Sequence, residues 1–127
     1  MPSRPSSSVP TEIVSAGTGT RRQVLIGPDV GPNFALRKFI MDVGGSMPLH
    51  TNTVEHEQYV LRGRARVFIG DEVLEVQKDD VVYIPGGVPH SYEALGDEPF
   101  EFLCAVPNLP DEATILDLEV PEDELGC

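Results

Sequence analysis

The sequence predicts an all-β domain of jelly-roll type, on three observations. Short runs rich in Val, Ile, Leu, Phe and Tyr recur along the chain, parted by turn pairs such as Gly70-Asp71, Asp79-Asp80 and Gly96-Asp97. Many short strands at such spacing form a barrel or sandwich. The 12 glycines and 12 prolines interrupt any helix-length pattern. The 127 residues suffice for one core and are too few for two. A barrel over 21–107 is therefore expected, between a loose arm at 1–20 and an acidic tail at 108–127.

Taken in order, residues 1–20 are rich in Ser, Pro, Thr and Gly without periodicity, as in an unstructured arm. Arg21 to Gly27 holds the first apolar run, and Pro28 to Pro32 is a turn. From Asn33 to Val43 the residues alternate, with Ala35, Arg37, Phe39 and Met41 on one face and Phe34, Leu36, Lys38 and Ile40 on the other. Apolar groups on both faces are expected where a sheet meets a second sheet or a subunit, and with the preceding arm they point to a homodimer. Further strands are predicted at Met47–Thr51, His56–Leu61, Arg64–Ile69, Val73–Val76, Val81–Ile84, His90–Ala94 and Phe100–Val106. Thr114 to Leu118 reads equally as a short helix or an added strand.

The formal charge of −12 argues against a nucleic-acid partner, because so acidic a chain repels a phosphate backbone. From Asn108 onward seven acidic residues stand without a Lys or Arg, so much of the excess belongs to the tail, read as a solvated segment. No window nears the roughly 20 apolar residues of a membrane span, and the Ser/Pro-rich start lacks a signal-type apolar core. With two cysteines, Cys104 and Cys127, there is no disulfide framework. A cytoplasmic protein with no membrane partner is expected.

All three histidines, His50, His56 and His90, fall within two short segments, GGSMPLHTNTVEHEQYVLRG (44–63) and PGGVPH (85–90). A neutral imidazole is the commonest protein ligand of a divalent metal, so this concentration points to a metal site. Strand alternation puts His50 and Asn52 on one face and, after a TVE turn, His56, Gln58 and Val60 on one side of a hairpin. Pro85 and the Gly86-Gly87 pair make a tight turn that delivers His90 to the same cavity. Glu55 and Glu57 then point outward. A slip of one residue would bring a carboxylate in and give a site with two histidines and one carboxylate. His90 also fits a structural, hydrogen-bonded histidine, and Asn52 a turn residue bonding nearby backbone.

These residues resemble the cupin family. Its first motif runs Gly, five residues, His-x-His, a few residues, Glu, six residues, Gly; its second is Pro-x-Gly-x-x-His. Gly44, His50, Gly63, Pro85, Gly87 and His90 occupy these places, while Asn52 stands for the second histidine and His56 for the glutamate. The runs VLIG (24–27), NFALRKF (33–39), EHE with YVLRG, and EFLCAVP (101–107) are similar to small single-domain manganese cupins that hold their metal with four histidines. The resemblance implies a jelly-roll β-barrel with the Arg37 face inward.

It also implies a divalent ion held by His50, His56 and His90, with Asn52 completing or tuning the shell. Nitrogen and oxygen donors without thiolate suit manganese first and iron next, with zinc, copper or nickel compatible. Parity places Met47, Gln58, Tyr92, Phe102 and Cys104 on the cavity wall, and the resemblance puts Arg37 nearby, an anion partner in the non-redox alternative. Gln58 and Tyr92 stand out, since a polar head in an apolar barrel needs a partner. The implied activity is a manganese or iron oxygenase: the ion serves a dioxygenase or peroxide-dependent oxidative cleavage of a small, partly apolar substrate. Tyr92 and Phe102 shape the pocket, and Cys104 is a redox-sensitive wall residue. The alternative is a non-redox isomerase, lyase or sugar-acid-binding protein in which the metal polarises a carbonyl.

Overall fold

The computed structural model describes residues 2–116. Among them the chain forms β1 (Glu12–Ile13), β2 (Thr18–Ile26), β3 (Phe34–Asn52), β4 (His56–Arg62), β5 (Arg64–Ile69), β6 (Glu72–Gln77), β7 (Val81–Ile84), β8 (His90–Leu95), β9 (Phe100–Pro107) and β10 (Ala113–Ile115). The strands pair in the order β6-β5-β8-β3-β9-β4-β7, with β2 and β10 also on β3 and β1 on β2. This is the expected all-β jelly-roll architecture in a single domain. No helix among the described residues is long and apolar enough to cross a membrane.

The rolled sheet encloses one core because nearly every strand alternates buried and exposed positions. Along β9, Phe100, Phe102, Cys104 and Val106 all turn inward. Phe102 stacks on Phe39 and on Tyr92, each with ring centroids 5.3 Å apart, and lies at the same distance from Phe100. On β3 it is Ala35, Phe39 and Met41 that are buried, with Arg37 half-buried among them, so the Arg37 face is inward.

Strand β3 is longer than expected. The Gly44-Gly45 pair does not end it. Gly44 takes φ +78°, and the pairing with β2 jumps from Thr20↔Met41 to Thr18↔Ser46. The glycines thus form a bulge that bends the strand without stopping it. Before the bulge β3 pairs with β2 and β9; after it, with β8 and β10, Ser46 alone remaining opposite β2.

The hairpin expected from β3 and β4 is not formed, since β9 lies between them in the sheet. The TVE segment is a crossover around the barrel mouth, which a local turn pattern cannot distinguish from a hairpin loop. Residues 1–20, expected as a loose arm, include β1, the start of β2 and a buried Val14. Within the predicted tail, Ala113 to Ile115 forms a strand on β3, which decides between the two readings for those residues. Leu118, Cys127 and five of the seven tail carboxylates lie outside the described residues.

Two turns hold the motif segments in place. At Gly63, φ is +79° and any Cβ would collide with the Pro99 carbonyl, so the tight β4–β5 turn admits glycine alone. In the PGG turn, the Gly87 N–H donates to the Asn52 carbonyl over 2.7 Å, tying the end of β3 to the start of β8.

Candidate metal centre

His50 and Asn52 lie at the end of β3, His56 opens β4 and His90 opens β8; the three imidazoles gather there, and Asn52 shares the buried face of β3 with His50. Register explains the meeting of two of them: His50 stands directly opposite His90 in the β3–β8 ladder. The three histidines are at most 1% exposed and Asn52 is 2% exposed. The His50 and His90 ring centroids are 4.2 Å apart, and those of His56 and His90 5.9 Å. Glu57 is exposed while His56 is buried, so the β4 register is the one with the imidazole inward. Burial and the neighbouring Glu55 carboxylate raise the Glu57 carboxyl above its usual range.

Backbone carbonyls set the imidazole tautomers. His50 Nδ1 lies 2.7 Å from the Pro48 carbonyl and His90 Nδ1 3.0 Å from the Val88 carbonyl. A carbonyl can only accept, so each Nδ1 carries the proton and Nε2 keeps the lone pair a metal requires. His56 Nδ1 stands 3.4 Å from Cys104 Sγ. The same sulfur receives Arg37 Nη2–H at 3.6 Å and Gln58 Nε2–H at 3.8 Å. Arg37 also lies over the Phe39 ring, 5.4 Å from its centroid.

Two buried polar atoms are left over. His56 Nε2 and Asn52 Oδ1 have no hydrogen-bond partner among the described residues. Such groups cost about 1–3 kcal/mol each when left unsatisfied in a folded interior. A divalent cation would satisfy both, and the neutral nitrogen and oxygen donors around them fit a first-row ion. As the side chains stand, no three His, Cys, Asp or Glu among the described residues are drawn close enough to close on an ion. The imidazoles are neighbours and not yet a shell.

The structure brings together most of the wall expected from parity. Met47, Tyr92, Phe102 and Cys104 are each at most 2% exposed, and Gln58 is 6% exposed. Gln58 Nε2–H donates to the Tyr92 hydroxyl over 2.7 Å, supplying the partner that each buried polar head required. Tyr92 meets His90 edge-on with centroids 5.9 Å apart. Met47 turns toward the Gly17 segment, where a Cβ on Gly17 would strike its sulfur.

Sequence reasoning missed Asp111. Read there as part of a solvated tail, it reaches back to the rim and accepts from Asn52 Nδ2 over 3.2 Å and from the Thr53 N–H over 2.7 Å. No pattern at a distance of 59 residues announces such a contact.

A profile of the cupin domain matches residues 37–106. The polyketide cyclase RemF from Streptomyces resistomycificus superposes with a TM-score of 0.80 and 28% identity, covering 98% of this chain and 89% of that one. The 1-methylthio-D-xylulose 5-phosphate methylsulfurylase of Rhodospirillum rubrum is 36% identical over 100 residues, 74% of this chain and 64% of that protein. An uncharacterized protein of Methanocaldococcus jannaschii is 36% identical over 83 residues, 63% of this chain and 66% of its own length. The chain thus spans somewhat under two thirds of the length of these two relatives.

Proposed function

The chain belongs to the cupin domain family, and on that premise we propose that it is a metal-dependent enzyme acting on a small, carbonyl-bearing organic molecule. His50, His56 and His90 would hold a divalent ion, manganese or iron, with Asn52 Oδ1 as the fourth donor. One observation carries the reading: two buried polar atoms, His56 Nε2 and Asn52 Oδ1, stand without hydrogen-bond partners among the described residues at a rim that also holds two further buried imidazoles. When bound, such an ion supplies Lewis-acid polarisation of a carbonyl or carboxylate oxygen.

The chain's own residues do the rest. The stacked Phe39, Phe102 and Tyr92 rings, with Tyr92 edge-on to His90, give the proposed site an apolar backing that excludes water. Gln58 donates to the Tyr92 hydroxyl, which turns the phenolic proton away from Gln58 and makes Tyr92 the candidate proton donor. Arg37, half-buried and opposite Cys104, which also stands opposite Gln58, is the candidate partner for a substrate carboxylate or phosphate. The likeness to a polyketide cyclase over nearly the whole chain supports carbonyl chemistry without net oxidation.

The second reading is the oxygenase, favoured by the aromatic wall beside an all-neutral donor set, which suits an apolar substrate and a redox-active ion. Conversion of a poly-carbonyl substrate panel by manganese- or iron-loaded protein, with and without oxygen, separates the two. Equal product in both atmospheres supports the first reading. Product formed only as oxygen is consumed overturns it in favour of the second.

A further inference from the structure

The amide of Asn52 has a donor end and an acceptor end, and which one meets the histidines decides whether the residue can help bind a cation at all. Nδ2 lies 3.2 Å from Asp111 Oδ2. A carboxylate has no proton to give, so the NH2 end must face it, and the reversed amide would oppose two oxygens. Oδ1 is thereby turned away from Asp111 and is buried without a hydrogen-bond partner among the described residues, on a residue that shares its face of β3 with His50.

Asp111 is itself held. Its Oδ1 accepts from the Thr53 N–H at 2.7 Å and the Val54 N–H at 3.3 Å. Beside it, Thr53 Oγ1 donates to the Glu112 carbonyl at 3.0 Å and lies 2.6 Å from the Glu112 N–H. Strand β10 continues the clamp, with Ala113 opposite Asn52 and Ile115 opposite His50.

We infer that Asp111 is a positioning residue for the proposed metal site: through the Asn52 amide it selects an oxygen donor toward the three imidazoles. The inference rests on the metal-binding reading above. It assigns the segment after β9 a share in the cation's coordination, which makes the site three nitrogens and one oxygen and favours an oxygen-accepting ion such as Mn2+.

The test is a double-variant cycle on the full chain, titrated with Mn2+ alone and followed by the loss of the free-ion EPR signal. Asp111→Asn offers its own NH2 to Asn52, so the Asn52 amide can reverse. Binding should weaken about tenfold, the lower end of what loss of an outer-shell partner costs. Asn52→Ala should weaken binding similarly, and Asp111→Asn added to Asn52→Ala should change nothing further. Circular dichroism of the metal-free variants checks that the fold persists. A readout without metal accompanies it: the Asn52 side-chain NH2 protons, assigned by their absence in Asn52→Ala, should exchange slowly in the natural chain and quickly in Asp111→Asn.

Unchanged affinity in Asp111→Asn, or an equal loss in the Asn52→Ala background, overturns the inference while leaving the metal site intact. Absence of binding in the natural chain overturns the metal reading and the inference with it.

Discussion

Strand β3 does two different jobs on either side of its glycine bulge. Before the bulge, Ala35, Phe39 and Met41 enter an apolar core and Lys38 pairs with Glu101 at 3.1 Å on the outer face, as their chemistry requires. After it, His50 and Asn52 are equally buried, yet the Asn52 oxygen has no partner among the described residues and the amide is held by a carboxylate 59 residues away. One stretch of backbone thus carries a half whose packing stabilises the fold and a half whose polar groups are organised for something else. Removing a core ring should unfold the protein; removing a rim group should disarm it.

The largest effect is expected from Phe102→Ala, which empties the centre of the ring stack. A loss of about 3–5 kcal/mol is the usual cost of truncating a buried phenylalanine. Urea unfolding of the metal-free protein measures it. A loss under about 1 kcal/mol would mean that the core half is no more demanding than the rim.

His56→Ala comes next and should reverse the pattern. Metal content of protein loaded with Mn2+ should fall to background, while the urea midpoint of the metal-free form moves far less than in Phe102→Ala. The substitution removes a buried acceptor that has no partner, which offsets part of the packing lost. If the metal-free variant unfolds as readily as Phe102→Ala, the contrast between the apolar core and the polar rim, which the two halves of β3 join, collapses.

Asn52→His tests the same rim by addition. A fourth imidazole would face Asp111 through one nitrogen and the other histidines through the second, the carboxylate–histidine–metal arrangement that raises ligand basicity. Mn2+ affinity should rise by about tenfold or more in the same EPR titration. Weaker binding would show that the rim has no room for the ring and that the amide is a choice of shape.

The fold and the identity of the rim were legible because both are local. Alternation along β4, β5 and β9 needs only the nearest residues to fix which side chain faces in, and the glycine-framed spacings around His50, His56 and His90 carry the family likeness. What escaped depends on partners far along the chain. Nothing near Asn52 says that β9 separates β3 from β4, or that Asp111 returns to grip the amide. Gly44-Gly45 was misread for a related reason: a glycine pair permits both a strand end and a bulge, and only pairing with β2 on the far side selects the bulge.

The smallest effect is expected at Glu57, and it is the sharpest check on the inward register. Glu57 is one residue from His56 and so on the opposite face of β4, paired with Ala105 on one side and Tyr83 on the other. Its carboxyl is pushed upward by partial burial and by Glu55, which marks a crowded outer surface of like charges. Glu57→Ala should leave the metal content of Mn2+-loaded protein at the natural level and relieve the like-charge crowding beside Glu55. Any stabilisation that protonated Glu57 gives is present below its ordinary value of 4.5 and lost as pH rises through the raised one, so the natural chain, not the variant, should show the extra decline between the two. Loss of the ion in Glu57→Ala, with retention in His56→Ala, would place a carboxylate in the shell and require the strand to slip by one residue in solution.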